Sequence, residues 1–199
     1  MKNVLKLVLL VGGAVPAWGG TLSATLFFDP ANPFAYVGTT FNVNVGVTLT
    51  GDGNQPNPNG DLTAYQFDLA FPSFLTAISV TDAGYFAATG DSFVSGSIDN
   101  TNDVISGIAN ALNGTPPPDS GTDTLVTVQF LANAIGTGPV STANETLLDS
   151  NFNSIALNPE TPATVTTSPT PEPGTVWMVL LLLCAGAITR RLKPGPWRG

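Results

Sequence analysis

The sequence predicts an all-β fold, an antiparallel β-sandwich, on three observations. Apolar and polar residues alternate in several short runs, which is the period of a strand with one buried face. Clusters of Gly, Asn, Asp and Pro separate these runs, as turns between strands require. No long amphipathic helix is visible, and at most one helical turn is expected, at residues 83–89. The pattern extends over about 150 residues, enough for one domain with its own core.

The alternations place each predicted strand in chain order. The side chains expected to face the core are Phe41, Val43, Val45, Val47 and Leu49, then Tyr65, Phe67, Leu69 and Phe71, then Ile78 with Val80, Val104 with Ser106 and Ile108, and Val126 with Val128 and Phe130. Loops are predicted at 51–61 and 113–122, and a tight hairpin turn at 99–103. Each predicted strand therefore has one apolar and one polar face, which half-buried antiparallel sheets require.

The end of the sandwich has two interpretations. We assign residues 20–157 to the folded domain and 158–173 to a Pro/Thr-rich extended stalk. Residues 163–167 could equally form the last edge strand, and the composition does not decide between the two.

Positive charge is confined to the two ends of the chain. The six cations, all within the first six or last ten residues, are Lys2, Lys6, Arg190, Arg191, Lys193 and Arg198. The 14 carboxylates lie between Asp29 and Glu172, and the sequence has no histidine. Cations that flank apolar runs fix orientation across a membrane.

The N-terminus predicts a signal peptide over residues 1–19. Lys2 and Lys6 precede a short apolar core at 7–15, and small residues follow. This is the layout of a secretory signal, and the apolar run is shorter than the ~20 residues that span a bilayer.

The C-terminus predicts a hydrophobic helix at 174–189 followed by a basic cytoplasmic tail at 190–199. A helix of this length measures about 24 Å, which is short of a ~30 Å hydrocarbon core. The segment therefore suits a transient stop, while an ordinary single-pass anchor is the alternative.

The whole tail resembles the PEP-CTERM sorting signal of Gram-negative bacteria. The resemblance rests on Pro171-Glu172-Pro173, the apolar run and the Arg190-Arg191 pair. It implies processing near the triplet by an exosortase-type protease, after transient anchoring in the inner membrane. It further implies delivery to the cell surface or to an exopolysaccharide matrix, a setting associated with biofilm.

A second resemblance covers roughly residues 21–167. Residues 64–71, 96–100, 105–108, 125–130 and 147–151 are similar to strands and turns of cohesin-type domains. The resemblance implies a nine-stranded flattened sandwich with jelly-roll topology. Cellulosomal cohesins bind dockerins, but such cohesins usually occur as repeated copies in a scaffold. This chain holds one copy, so dockerin recognition is not carried over.

The composition of the exported region predicts a protein that is not an enzyme and holds no cofactor. Without His, Lys, Arg or Cys it has no imidazole base, thiolate or Schiff-base lysine, and no usual zinc ligands. Paired carboxylates are the remaining catalytic apparatus. The candidates for such a pair are Asp68, Asp82, Asp91, Asp99 and Asp103.

Calcium is the one metal that the composition allows. Oxygen-bearing side chains at alternate positions suit this cation, and the candidate ligands are Asp149, Asn151, Asn153, Asp52, Asn54 and Asp61. The simpler interpretation is that these residues only form turns.

Two binding classes can be weighed from the same composition. An anionic region without cations gains nothing from phosphate, which excludes nucleic acid. For stacking on sugars, the aromatic candidates are Tyr36, Tyr85, Phe34, Phe86 and Phe93.

The leading functional hypothesis is a non-enzymatic exported protein that acts as a structural or adhesive module. The alternatives are a specific binding module, for a surface protein or a carbohydrate, and a glycosidase that uses a carboxylate pair.

Overall fold

The computed structural model describes residues 22–50, 62–86, 91–112, 122–149, 152–171 and 174. These residues form an all-β structure. Its strands are β1 (Ser23–Asp29), β2 (Phe34–Tyr36), β3 (Thr40–Thr50), β4 (Ala64–Ala70), β5 (Leu75–Asp82), β6 (Val94–Asp99), β7 (Val104–Ala111), β8 (Thr122–Ala132), β9 (Gly136–Leu148), β10 (Ala156–Leu157) and β11 (Ala163–Ser168).

The strands pair into two sheets. The first has the order β10-β1-β3-β8-β5 and the second β2-β11-β9-β4-β7-β6. The pairs β1–β10 and β2–β11 are parallel, and the others are antiparallel. The described residues form eleven strands, where the cohesin resemblance implied nine. The difference equals the two shortest strands, β2 with 3 residues and β10 with 2.

The core lies between the two sheets. The alternating side chains predicted to face inward from β3 and β4 are buried, apart from Phe41, which is partly buried against the core. Tyr65, Phe67 and Phe130 are among the largest fully buried side chains. Burying a side chain of this size stabilises the fold by roughly 1.5–3 kcal/mol, so the alternation seen in the sequence is the main source of stability.

The prediction that Ile78 faces the core is wrong. Ile78 is 45% exposed, while Ala77 and Val80 are buried. The pairing of β5 with β8 shifts register between Ala77 and Ser79, which turns the intervening side chain outward. Asn100 supports this irregularity, because its side chain accepts from the Ala77 N–H at 2.8 Å and donates to the Ala77 carbonyl at 3.1 Å.

Of the three β7 residues predicted to face the core, Ile108 is buried as expected, whereas the prediction is wrong for Ser106 and for Val104, which is only partly buried. Ile105 and Ile108 are both fully buried, and Ser106 is exposed. Gly107 has φ 71° and lies opposite a register shift in β4. The extra residue of this bulge moves the alternation by one position, so two isoleucines three apart face the same core.

Residues 158–168, which the sequence left open between a stalk and an edge strand, cross between the sheets and then form β11. The Asn158 N–H donates to the Ala24 carbonyl at 2.8 Å, at the first sheet. β11 then lies between β2 and β9 in the second sheet, and its Ala163, Val165 and Thr167 are buried. The strand therefore has a hydrogen-bonded neighbour on each side.

Both predicted membrane-related segments lie outside the described residues, apart from residue 174. Among the residues that the structure does describe, no helix has the length and apolar character needed to cross a membrane.

Candidate functional site

The outer face of the second sheet is a broad surface of short side chains. Register places them together on β4, β7 and β9, since residues paired across antiparallel strands share a face. The outward side chains of this face include Ala64, Gln66, Asp68, Ser106, Ala109, Ala111, Ala143, Asn144, Thr146 and Leu148. Asp68 is the one charged side chain among them. We call this surface the β4 face.

The Asp68 carboxylate forms the hydrogen bonds that fix the strands at the centre of the β4 face. It lies between two register shifts, one in the pairing of β4 with β7 and one with β9. One carboxylate oxygen accepts from the Gly107 N–H at 2.7 Å, and the other accepts from the Asn144 side-chain amide at 2.7 Å. Gly107 and Asn144 both have positive φ. A single carboxylate therefore holds two bulges, and charge-assisted hydrogen bonds of this kind are the stronger class.

A depression of about 220 Å³ lies on the same face, at the end of β4 where Ala64 and Gln66 lie. The depression exists because Ala64, Ala109 and Ala111 have short side chains, and Gln66 and Thr146 lie at its edge. Tyr65 and Asn110, which are buried, also contribute to its lining. The β4 face thus combines a shallow recess with a rigid centre.

Two of the carboxylates that the sequence proposed as a catalytic pair do meet. Asp82 ends β5 in the first sheet, and Asp91 bridges to Leu112 beside the second sheet. Their carboxyl groups are in hydrogen-bond contact. Burial, and then the contact with Asp91, raises the pKa of Asp82. We call these two residues the aspartate pair.

Asn110 connects the aspartate pair to the core. Its side-chain amide donates to Asp91 at 2.8 Å, and this bond is the main reason that the pKa of Asp91 is lowered. The Tyr65 hydroxyl, close to the Asn110 side chain, donates to the Leu125 carbonyl at 3.3 Å. Burial, and next the charge of Asp82, raises the pKa of Tyr65. Asn110 is 2% exposed, and its side-chain oxygen has no hydrogen-bond partner.

A second pair of carboxylates, which the sequence did not single out, lies at Thr142. The Thr142 hydroxyl is 2.7 Å from a Glu145 oxygen and 2.6 Å from a Glu160 oxygen, and its N–H donates to Glu160 at 2.8 Å. Burial raises the pKa of Glu160. We call Glu145 and Glu160 the glutamate pair. A cavity of about 290 Å³ adjoins it, with Leu26, Leu157, Asn158 and Pro159 in its lining.

Asp99 and Asp103, which were also proposed as catalytic carboxylates, lie in one hairpin turn. Asp99 accepts from the Thr101 and Asn102 N–H groups at 2.9 and 3.1 Å, and from the Asn102 side chain at 2.7 Å. The Asn102 side chain is the largest cause of the lowered pKa of Asp99. Asp103 follows in the same hairpin turn with φ 58°. This turn is the one that the sequence predicted.

The calcium ligands predicted from the sequence are only partly described. Asp149 accepts from the Asn153 N–H at 2.8 Å and from its side-chain amide at 3.2 Å, which closes the turn after β9. Asn151, Asp52, Asn54 and Asp61 lie outside the described residues. No group of three or more His, Cys, Asp or Glu side chains that could hold a metal occurs in the described part of the chain. Calcium binding at these loops stays a prediction.

The sorting motif is described only at its start. Pro171 is exposed, whereas Glu172, Pro173, Arg190 and Arg191 lie outside the described residues. Three residues before Pro171, Ser168 ends β11. The predicted processing site therefore comes directly after the sandwich.

The aromatic candidates for sugar stacking divide into two groups. Phe86 is fully buried, and Tyr85 and Phe93 pack partly against the core. Phe34 and Tyr36 of β2 are 55% and 40% exposed. Their rings meet edge to face, with centroids 5.2 Å apart and planes at 86°. Only one of these two rings can therefore lie flat against a single sugar.

No family model and no curated protein matches the chain. Solved structures do. A non-cellulosomal cohesin from the archaeon Archaeoglobus fulgidus matches with a TM-score of 0.50 and 15% identity, over 79% of this chain and 97% of that one. The fold is that of a cohesin module.

Two bacterial cohesins agree. The cohesin module of a family 33 glycoside hydrolase from Clostridium perfringens matches with a TM-score of 0.54 and 13% identity, over 76% of this chain and 98% of that one. The cohesin of a type I cohesin–dockerin complex from Clostridium thermocellum matches with a TM-score of 0.54 and 8% identity, over 75% and 95%. The chain thus contains a whole cohesin fold, with a sequence far from theirs.

Sequence reasoning missed the glutamate pair and the role of Asn110. Glu145 follows Asn144, whose positive φ marks the bulge in β9, and the bulge turns Glu145 toward Thr142. Nothing in the local alternation indicates that turn. A polar residue in the middle of a strand, Asn110, was a signal that could have been used, because an amide at a buried position needs specific partners.

Proposed function

We propose that this chain is an exported, non-catalytic binding module whose β4 face binds a protein partner at the cell surface. The β4 face is the observation that carries the proposal. It offers short side chains around a recess, and its irregular strands are fixed by the two 2.7 Å bonds of Asp68. A surface that is already ordered loses little conformational entropy on binding, which favours affinity.

The fold supports the same proposal. Several of the matching cohesins were solved as complexes with dockerins, so this sandwich serves protein recognition in those proteins. We do not propose a dockerin as the partner of this chain. The cohesins of those complexes are 8–16% identical to it, and identities this low support a shared fold but not shared contacts.

Charge limits the kind of partner. Between Lys6 and Arg190 the chain has 14 carboxylates and no cation. An acidic polysaccharide would be repelled, whereas a protein with a basic rim around its contact area would be steered toward the module. We therefore expect association that slows as salt is added.

One substitution tests the surface directly. Ala109→Arg fills the recess of the β4 face, and we expect at least about tenfold weaker binding, or ~1.4 kcal/mol. Thr81→Arg on β5 is the matched control, since Thr81 is exposed on the other sheet and the added charge is the same. Proteins secreted by the producing bacterium are captured on each variant of the full chain. Equal capture by both variants would show that the β4 face is not the binding surface.

Carbohydrate binding at Phe34 and Tyr36 is the second candidate function, favoured by the exposure of both rings on β2. Tyr36→Ala would then weaken retention on neutral polysaccharide, and Ala109→Arg would leave it unchanged. The reverse pattern, with protein capture sensitive to Ala109→Arg alone, supports the leading proposal.

The aspartate pair does not favour glycoside hydrolysis. Its carboxyl groups touch, whereas retaining glycosidases hold the two groups about 5 Å apart and inverting ones farther, to leave room for the sugar and water. The proposed function therefore needs no catalytic residue.

Export and sorting complete the proposal. The signal peptide at 1–19 would direct secretion, and an exosortase-type protease would process the tail at Pro171-Glu172-Pro173. The intact mass of protein recovered from the culture tests this, with and without that protease. Recovered protein that still contains residues 174–199 in the presence of the protease would contradict it.

A further inference from the structure

Three exposed apolar side chains lie at the end of the second sheet where the chain leaves the sandwich. Phe34 and Tyr36 are exposed on β2, and Ile135, which is 65% exposed, lies in the turn between β8 and β9. Tyr36 pairs with Ser168, the last residue of β11. The neighbouring Thr167 hydroxyl donates to a carbonyl of the β8–β9 turn at 2.7 Å, which holds that turn at the same end. We call Phe34, Tyr36 and Ile135 the exit patch.

The segments around the exit patch carry no charge. Residues 30–50, which include β2, contain no Asp, Glu, Lys or Arg, and the same is true of residues 124–144 and 161–171. All 14 carboxylates of the chain lie outside these three segments. Burying a charge away from water is costly, so an uncharged surface with exposed rings can enter a less polar phase that the rest of this anionic module must avoid.

The length of chain beyond the structure brings this end close to a membrane when the tail is anchored as proposed. Pro171 is exposed, and the uncharged apolar run at 174–189 begins three residues later. Three residues span at most about 11 Å, whereas a domain of about 150 residues has a radius of gyration of about 15 Å. A tether shorter than this radius keeps the exit end of the sandwich next to the bilayer surface.

We propose that the exit patch inserts into the headgroup layer of the membrane while residues 174–189 anchor the chain. The contact rests on the proposed anchoring and adds to it a defined orientation of the module. Tyrosine combines an apolar ring with a polar hydroxyl, which suits the headgroup layer, and Phe34 and Ile135 add apolar area. Because the exit patch has no cation, the contact needs no anionic lipid, and added salt should not weaken it.

This orientation leaves the recess of the β4 face on the side away from the membrane. β9 begins at Gly136, directly after Ile135, and ends at Leu148, which lines the recess. Its 13 residues span about 40 Å. A partner of the β4 face can therefore reach the recess while the exit patch contacts lipid.

Fluorescence quenching by labelled lipids tests the contact. The exported chain, residues 20–199, is reconstituted in phosphatidylcholine vesicles whose lipids carry a nitroxide at the headgroup. A fluorophore is attached at Thr137→Cys, because exposed Thr137 pairs with Thr166, which in turn pairs with Phe34. Thr81→Cys, at an exposed position of the first sheet, is the matched control. Both variants also carry Cys184→Ala, so that each has a single thiol.

The contact predicts strong quenching at position 137 and little at position 81. Phe34→Ser together with Tyr36→Ser should remove most of the quenching at position 137, although the tether is unchanged. Both rings are exposed, so the Tm of this double variant should stay close to that of the wild type. Raising the salt concentration should leave the quenching unchanged, in contrast to the association with a basic protein partner.

The tryptophans of the tail separate this contact from the anchoring on which it rests. Trp177 and Trp197 are the only tryptophans of residues 20–199, so quenching of their emission in the unlabelled chain reports insertion of the tail. Tryptophan quenching without quenching at position 137 would overturn the contact and leave the anchoring in place. Absence of both signals would contradict the two together.

A sugar platform is the rival interpretation of the exit patch. In that case Phe34→Ser together with Tyr36→Ser would reduce retention on neutral polysaccharide and leave the quenching at position 137 unchanged. That pattern would overturn the membrane contact as well.

Discussion

The aspartate pair and the glutamate pair both hold two carboxylates close together, but different hydrogen-bond donors surround them. Each brings two carboxylates together beside a segment that crosses between the sheets, in a region without cations. In the glutamate pair, Thr142 directs both its N–H and its hydroxyl at the carboxylates. In the aspartate pair the carboxyl groups contact each other, and the nearby amide of Asn110 donates to Asp91 at 2.8 Å.

The difference shows what hydrogen bonds can and cannot compensate. The Thr142 N–H and the Thr142 hydroxyl are both hydrogen-bond donors at short distance from the glutamate pair. These donors from a single residue allow the Glu160 carboxylate to stay half-buried beside Glu145. In the aspartate pair, Asp82 accepts from the Gly84 N–H at 3.1 Å and Asp91 accepts from the Asn110 amide at 2.8 Å, while the Asn110 side-chain oxygen has no partner.

The largest effect on stability is expected when a third carboxylate is added beside the aspartate pair. Asn110→Asp places a buried charge against Asp91 of the aspartate pair, and we expect the free energy of unfolding to fall by about 3 kcal/mol or more. Urea unfolding measures the loss. Asn110→Ala is the control, expected to lose about 1–3 kcal/mol through the missing donor alone. Equal losses for both variants would mean that the aspartate pair is well solvated.

Removing the shared donor of the glutamate pair should have a smaller effect. Thr142→Val keeps the shape of the side chain and the N–H bond to Glu160 but deletes the hydroxyl, and we expect a loss of about 1–2 kcal/mol. Thr137→Val, at an exposed position of the same strand, should change stability by less than about 0.5 kcal/mol. Urea unfolding measures the free energy of unfolding of both variants. An unchanged value for Thr142→Val would show that the hydroxyl does not stabilise the pair.

The smallest expected effect concerns pH. Because burial raises the pKa of Glu160 in the folded state, its ionised form costs stability at neutral pH. That cost is relieved as the pH falls through the raised pKa toward the value of the unfolded chain. Glu160→Gln should therefore be more stable than the wild type at neutral pH, and the two should converge on acidification. Thermal unfolding between neutral and mildly acidic pH tests this; a gap that widens on acidification would contradict it.

The sequence predicted the strands better than the site, for a physical reason. The alternations in β3 and β4 continue over whole strands, so the buried set follows from the period alone. Ile78 and Ser106 were misplaced because a bulge shifts the period by one residue. The positive φ of Gly107 is the local cause of one bulge, and a glycine inside a strand is a known signal for it.

The pairing of carboxylates could not be predicted in the same way. Asp82 and Asp91 were recognised as candidates, but the sheets must be arranged before the two ends of their crossover can meet. Glu160 reaches Thr142 from a segment first interpreted as part of a stalk. Long-range contacts of this kind depend on topology, and local spacing does not encode them.

The position of β11 has a mechanical consequence. The strand pairs with β9 over Ala163–Thr167 on one side and with β2 over Thr166–Ser168 on the other. Just beyond its end, the Thr170 hydroxyl still donates to the Val37 carbonyl at 2.8 Å. A pull on the C-terminal end of this strand would shear two rows of bonds at once instead of peeling them apart in succession. A module that is attached through this end and bound to a partner elsewhere would resist mechanical unfolding under flow.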